Sequence, residues 1–580
     1  MTPRNLTRVS RWLPALTWLA GYQRRFLRGD LVAGVTVAMM LIPQAMSYAM
    51  LAGLPPTVGL YASVVPLLIY ALFGSSRHLA VGPVAMVALL VASGIGPLAE
   101  AGTGEYIALA VLLALLVGAV QLGMGLLRLG FLTNFMSHPV IAGFTSAAAL
   151  IIGFSQLQHL TGLSLPRSEN IVLIAWHTLR EAGAIAPATL ALGAGSIAAM
   201  LILRRINPVL PGAMITVVVS TLLVWLFELD RRAGVAVVGE VPAGLPGFSL
   251  PSLELGQISS LVPIAVTIAF IGFIESIAVA KKIAAQKRYE IDPNKELVGL
   301  GLANIGGAFF KAMPVTGGFS RTAVNASAGA NTGLASIITA LLVGLALLVL
   351  TPLFYTIPNA TLAAIIIVAV AGLIDVHEAR HLWQVKREDF VMMTVTFFAT
   401  LLLGVKTGIF LALGASMVWF VVKTTRPHYA VLGRLPDTEI YRNIKRHPEA
   451  VTEPGVLALR FDGQFYYGNV SFLKLKIREA EAAMTSPLRI LVLDASAINQ
   501  LDSSADTALH ELTDDFRRRG IDLYFANVKG PVMDVMGRSG FVNHLGEDHF
   551  FLTTHSALVQ ARRSVKQVLQ HTDTLRSNYL

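Results

Sequence analysis

Residues 107–127, 334–354 and 390–411 are runs of about 20 mainly apolar residues, long enough to cross the hydrocarbon core of a bilayer as helices. Runs of this kind leave the backbone little choice. In lipid every N–H and C=O must be paired internally, so a spanning segment is a helix or a strand of a closed barrel, and this length selects the helix. The composition agrees. Of the 580 residues, 54% are hydrophobic and 14% charged, against about 25% charged in soluble domains. The chain reads as a polytopic membrane protein.

Charge placement supplies the topology. Residues 1–426 carry 27 Lys/Arg and 17 Asp/Glu, whereas residues 427–580 carry 18 of each, so the whole excess of +10 belongs to the membrane part. Such an excess reflects basic residues gathered in cytoplasmic loops and gives no reason to expect a nucleic-acid partner. The first 29 residues hold six arginines and read as a cytosolic leader, too polar for a signal-peptide core. There is no cysteine, which excludes disulfides and thiolate metal sites. No GxxxxGK[ST] phosphate loop is present, so an ATP-driven pump is not expected. No cofactor or metal is implied.

Hydropathy and Gly/Pro punctuation divide the membrane part into fourteen segments: 31–51, 56–74, 84–98, 106–127, 131–157, 184–203, 208–228, 258–280, 294–311, 319–329, 333–351, 358–374, 388–403 and 407–423. With the N-terminus inside, 20 of the 27 basic residues fall in cytoplasmic loops and flanks. The expected layout is a leader at 1–29, a membrane domain at 30–426 with repeats at about 30–229 and 258–424, a linker at 427–438, a small domain at 439–565 and a tail at 566–580. The third and tenth segments are too short to span. One starts at Val84 after SSRHLAVGP and the other at Phe319 after KAMPVTGG. Each is third in its set of seven. Seven is odd, so the two sets have opposite orientation. Paired short segments at matching places in inverted halves point to the central site of a secondary transporter. Their N-termini, with free N–H groups and the positive dipole end, would face each other as an anion site, one of them opening at Val84 and Ala85.

Two ionisable residues stand out inside the apolar zone, Glu275 in IAFIGFIESIAVAKK and Arg321 in PVTGGFSRTAVNASAGANTG. A charge at this depth costs at least about 2.5 kcal/mol on insertion scales and usually faces a protein interior. Arg321 offers a planar fork of donors suited to oxyanions, with the Ser320 hydroxyl beside it. The bland alternative is a structural Glu275–Arg321 ion pair. Glu275 is the candidate for loading and releasing a coupled cation. In the first segment Pro43 is expected to interrupt the helix, and Gln44 and Tyr48, one turn apart, share a face that reaches the site. GLPP at 53–56 reads as a turn.

After about residue 435 the pattern changes to that of a small α/β domain. VLALRFDG, LRILVLDAS and IDLYFANV read as strands, and SFLKLKIREAEAAM and SADTALHELTDDFRRRG as amphipathic helices. Asp502-Ser503-Ser504 precedes the second helix, as N-caps do. A serine there is also a candidate phosphorylation site.

The stretches LIPQAMSYAMLAGLPPTVGLYAS, AVGPVAMVALL, FIESIAVAKK, PVTGGFSRTAVNASAGA and the tail with LDSSA together resemble the sulfate permease (SulP) family of anion transporters over nearly the whole chain. The resemblance implies an all-α membrane domain of fourteen segments in two inverted repeats of seven, forming core and gate subdomains, followed by a STAS domain. It implies an anion held between the third and tenth segments, with Gln44, Tyr48, Phe319, Ser320 and Arg321 at substrate-site positions and Glu275 at the cation-coupling position. It implies a homodimer moving by an elevator-like motion. In bacterial anti-sigma-factor antagonists the second serine of DSS is phosphorylated. That serine matches Ser504, although this chain reads DSSA where those proteins continue DSSG.

The expected function is a secondary transporter of a small oxyanion in a bacterial inner membrane with both termini cytoplasmic, with sulfate–proton symport first. Sodium-coupled bicarbonate uptake, proton-coupled dicarboxylate uptake and an anion exchanger or channel remain open. A nucleobase permease would favour carboxylates on both central segments, which Arg321 argues against. A membrane-anchored scaffold acting through the tail is the remaining alternative. The tail's partner is not legible.

Overall fold

The computed structural model describes residues 13–131, 137–163, 171–207 and 211–578. The chain divides into two compact units, the second beginning at Met417.

In the first unit a helix lies on each of the fourteen predicted segments. Residues 132–136 of the fifth segment and 208–210 of the seventh are outside the described residues, as are residues 1–12 of the leader. Among the described residues seven stretches, Arg24–Leu51, Gly104–Leu126 and Leu255–Lys287 among them, are long and apolar enough to cross a membrane. The third and tenth segments are short helices, Ala85–Ile95 and Phe319–Ser327. Each follows extended chain. Strand β1 (Val81–Gly82) and strand β2 (Thr316–Gly317) pair antiparallel, Val81 opposite Gly317 and Gly82 opposite Thr316. Two short extended stretches so far apart in sequence satisfy part of each other's backbone, which is the condition for irregular chain to survive inside an apolar bundle.

Three features depart from expectation. The helix Arg24–Leu51 runs through Pro43 without interruption. Proline removes one N–H and crowds the preceding turn, but the residues from Leu41 to Ala49 are all buried, and packing on every side holds the helix across the gap. The eighth segment extends to Lys287 and is 33 residues long. Two amphipathic helices, Ile171–Arg180 and Val376–Val385, occupy stretches that read as loops, because one-sided hydrophobicity leaves no continuous apolar run.

The count of buried ionisable groups also grows. Besides Arg321, the carboxylates Asp30 and Glu296 are fully buried. Glu296 accepts four hydrogen bonds: from the Tyr70 hydroxyl at 2.6 Å, the Ser75 hydroxyl at 2.6 Å, and the Ser75 and Ser76 amides at 2.7 and 2.8 Å. Asp30 accepts the amides of Asn331 and Thr332 and the Thr332 hydroxyl. Thus the chain leaving Phe73 toward β1 is tied to the helix Pro293–Ala308, and the chain leaving the second short helix is tied to the first long one. His78 adds a further tie, one ring nitrogen 2.9 Å from the Ala330 carbonyl and the other 3.0 Å from the Tyr289 hydroxyl. Both carboxylates escape a hydropathy scan because they stand at segment edges, where a charge is ordinarily solvated.

The second unit is a six-stranded sheet in the order β4-β3-β5-β6-β7-β8. Its strands are β3 (His428–Arg434), β4 (Tyr441–Asn443), β5 (Val456–Asp462), β6 (Ile490–Asp494), β7 (Asp522–Ala526) and β8 (Phe550–Phe551). From β5 to β8 the pairing is parallel, and β3 joins β5 antiparallel. Leu457, Leu459 and Phe461 face the core under the helices Val470–Ala482 and Ser503–Arg518. Val456 and Ala458 face Ala557, Leu558 and Ala561 of the helix Thr554–Asn578. The sheet begins earlier than the sequence suggests: β3 occupies most of the expected linker. Proline at 427 and again at 436 gives this short strand the punctuation of a connector.

Replacing Glu296 by Leu strands four donors in a dry interior, at about 1–3 kcal/mol for each one left unpaired. Glu296→Leu is expected to be lost as folded protein on size exclusion after mild heating in detergent, whereas Glu296→Gln survives in part. Wild-type thermal stability in Glu296→Leu would show that the tie carries no load.

Candidate functional site

The site is assembled from the two places where helix geometry leaves donors unused. The first turn of any helix has N–H groups without intrahelical partners. Val84 is the extended N-cap of Ala85–Ile95, and Gly318 that of Phe319–Ser327. The β1–β2 pairing sets these two N-termini side by side. The crossing is then locked. Ala80 donates to the Thr322 hydroxyl at 3.1 Å, Gly318 donates to the Ala80 carbonyl at 3.1 Å, and the Asn325 side chain donates to the His78 carbonyl at 2.9 Å.

A second layer holds β2 against the long helix carrying Glu275. The Thr316 hydroxyl donates to the Gly272 carbonyl at 2.6 Å and lies 2.6 Å from the Ser276 hydroxyl, which accepts the Gly317 amide at 2.9 Å. Asn304 pairs with both backbone groups of Val315 and with Gln121, whose own amide nitrogen donates to the Ala269 carbonyl. None of these residues figured in the sequence reading. Their signal was present, since Gln121 and Asn304 are amides inside apolar segments, but single amides on a helix carry no direction.

Arg321 is 1% exposed. Its Nη1 donates to the Pro83 carbonyl at 2.8 Å, so the guanidinium of the second short helix reaches the entry of the first. Its Nε and Nη2 are buried and have no partner among the described residues. Two glycines make the room. A Cβ at Gly318 would stand 2.8 Å from the guanidinium carbon, and one at Gly82 would stand 3.4 Å from Nη2. The same point above Gly82 is 3.4 Å from the Leu41 side chain. Leu41, Gln44 and Tyr48 stand on one stripe of their helix, which brings Gln44 and Tyr48 toward the guanidinium.

The residues singled out from the sequence take these places. Val84, Ala85, Gln44 and Tyr48 are buried, and Gln44 Oε1 has no hydrogen-bond partner among the described residues. Phe319 and Ser320 are exposed on the first turn beside Arg321. Glu275 is half-buried, with Oε2 unpartnered among the described residues. Arg321, Glu275 and Tyr48 are within electrostatic reach of one another, but no ion pair within 4.0 Å joins Glu275 to Arg321 among the described residues. The guanidinium is therefore left with free donors rather than consumed by a carboxylate. Ser504 belongs to the second unit. It is exposed on the first turn of Ser503–Arg518, whose N-cap Asp502 accepts the Ala505 amide at 2.8 Å. A cavity of about 1100 Å³ in the first unit does not include Arg321. It lies at the far ends of the same helices, between Met50, Leu89 and Gly96 on one side and Gln156 and Ile174 on the other.

Adjacent helix N-termini and an arginine with unused donors within a membrane helix bundle suit an anion-handling transport protein, and the proteins this chain resembles are transporters rather than enzymes. Residues 27–396 match the model of the sulfate permease family and residues 447–557 that of the STAS domain. The chain is 42% identical to sulfate transporter 4.1, chloroplastic, of Arabidopsis thaliana over 94% of its own length and 82% of that protein. It is 35% identical to sulfate transporter 1.3 of the same plant, over 94% and 86%. Among solved structures it resembles murine Solute Carrier 26 family member A9, an anion transporter in the inward-facing state. The TM-score is 0.88 at 25% identity, covering 96% of this chain and 95% of that one. The transmembrane domain of a cyanobacterium bicarbonate transporter shares the fold, with a TM-score of 0.59 at 24% identity over 68% of this chain and 97% of that one. The chain belongs to the sulfate permease family, and its second unit contains a STAS domain.

A methyl group at residue 318 would push the guanidinium off its seat, since the three atoms nearest to it all belong to Arg321. Gly318→Ala is expected to weaken anion binding about tenfold or more, the scale of losing one charge-assisted hydrogen bond, with an unchanged melting curve. Equal affinity in wild type and Gly318→Ala, measured calorimetrically, would show that the seat does not matter.

Proposed function

We propose that the protein is a secondary transporter of sulfate coupled to protons. The anion sits between the N-termini of Ala85–Ile95 and Phe319–Ser327, ringed by Gln44, Tyr48, Val84, Ala85, Phe319, Ser320 and Arg321. The observation that carries this reading is the buried guanidinium with two unused donors at the meeting of two helix starts. A tetrahedral oxyanion accepts from several directions at once, which suits a fork of side-chain donors flanked by backbone amides. Sulfate is favoured over other oxyanions because the curated relatives at 33–42% identity are named for it.

Coupling follows from charge. Moving a dianion into a negative compartment is opposed by about 2.3 kcal/mol per charge per 100 mV, and protons carried along offset that. Glu275, within reach of the Arg321 charge yet not bonded to it, is the proposed proton carrier. Arrival of the anion beside Arg321 then favours a proton on Glu275, and loss of either cargo weakens the hold on the other. The antiparallel pairing of β1 with β2 supports two inverted seven-segment repeats, since strands related by an in-plane two-fold axis run oppositely. The excess of basic residues in alternate loops supports cytoplasmic termini, and the membrane is taken as a bacterial-type inner membrane. The working unit is taken as a homodimer, and Ser504, exposed at a helix start, as its candidate phosphoacceptor.

Proteoliposome uptake of labelled sulfate tests the reading. An imposed pH gradient, acidic outside, should drive accumulation that is indifferent to replacing sodium by choline. Arg321→Ala should lose most of the affinity, and Glu275→Gln should abolish uphill uptake while leaving exchange measurable. A strict sodium requirement, or bicarbonate or fumarate outcompeting sulfate, would overturn the assignment of cargo and coupling. Undiminished pH-driven accumulation in Glu275→Gln would overturn the role of that carboxylate.

A further inference from the structure

Lys282 takes no part in the site described above, yet its place is specific. It lies seven residues after Glu275 on the same continuous helix, which is two turns and nearly the same direction. Ile271, Glu275, Ala278 and Lys282 form an open stripe, while Phe273, Ile274, Ser276, Ile277, Val279 and Ala280 are buried and Lys281, in another direction, is also exposed. The lysine Nζ stands 5.3 Å over the ring of Phe319. Phe319 and Ser320 are themselves exposed, and the next residue is the buried Arg321. One open face therefore carries, in order, Lys282, the Phe319 ring, Ser320 and, at its floor, Arg321 with Glu275 alongside.

A face that bears an ammonium, a hydroxyl and a carboxylate within a helix bundle borders water, not lipid. Lys282 forms no ion pair with a carboxylate among the described residues, and an aromatic face orients an ammonium without neutralising it. Its charge is left available to an arriving anion.

We propose that Lys282 is the capture point for the transported anion on this face, holding it against Ser320 before the Phe319 ring yields and the anion passes to Arg321. The inference rests on Arg321 being the inner ligand. In the topology proposed above this face opens to the cytoplasm. The role is one of positioning and attraction. It predicts an effect on apparent affinity from one side only, sensitive to salt because exposed charges are screened within about 8 Å at physiological ionic strength.

The test is sulfate flux in sealed vesicles of both orientations, with Lys282→Gln, Lys282→Arg and Arg321→Ala in the full-length protein. For flux starting from the cytoplasmic face at low salt, Lys282→Gln should raise KM about tenfold, the lower end of the range of electrostatic steering, at unchanged kcat. The gap should close to under about twofold at high salt. Lys282→Arg should behave as wild type, and KM from the opposite face should not move in either variant. Wild-type KM in Lys282→Gln at both salt levels, or equal loss in Lys282→Arg, overturns the proposal. Arg321→Ala separates the two readings. If it loses binding while Lys282→Gln is silent, the capture point alone is wrong. If it binds sulfate as wild type does, the inner site is wrong and the capture point falls with it.

Discussion

The structure depends on one antiparallel contact of two residues each. Chain that is neither helix nor closed sheet has no place in hydrocarbon, because each unpaired amide or carbonyl costs about 2–7 kcal/mol there. β1 and β2 solve this for each other. Without the pairing, neither Val84 nor Gly318 could begin a helix in the middle of the bundle, and no pair of free N-termini would exist. The supports around it, Ser276 on the Gly317 amide, Thr322 on the Ala80 amide and Asn304 on Val315, pair further backbone groups with side chains. The donors at the helix starts and on Arg321 are the ones left over.

Electrostatics then decides what this frame can hold. Burying a guanidinium with one carbonyl partner is unfavourable by itself. On the proposed function the rest of the cost is met when the anion arrives, and Glu275 is near enough to moderate the charge without closing the fork. A bonded Glu275–Arg321 pair would be more stable and would bind nothing. The separation of the two leaves donors of Arg321 unused, which a structural ion pair would not.

Much of this was legible from residue order. Long apolar runs dictate helices whatever surrounds them, so fourteen segments could be placed and two recognised as too short. Arg321 announced itself because the other basic residues of the membrane part lie in loops or at segment edges. What sequence could not give was whatever depends on two distant segments meeting. The carboxylates Asp30 and Glu296 stand at segment edges and look solvated until their donors, some 220 to 300 residues away, are seen. Pro43 looked like a break because propensity speaks for one residue and packing for its neighbours. β3 was hidden by flanking prolines, and the helices Ile171–Arg180 and Val376–Val385 by their charged faces.

The central claim is that a negatively charged cargo sits where the two short helices begin. The most direct measurement is an experimental structure with selenate in place of sulfate, read by its anomalous scattering. The account predicts a single strong peak within hydrogen-bonding distance of Arg321 and the amides that follow Val84 and Gly318. A peak confined to the wide cavity between Met50 and Gln156, with nothing beside Arg321, would contradict it.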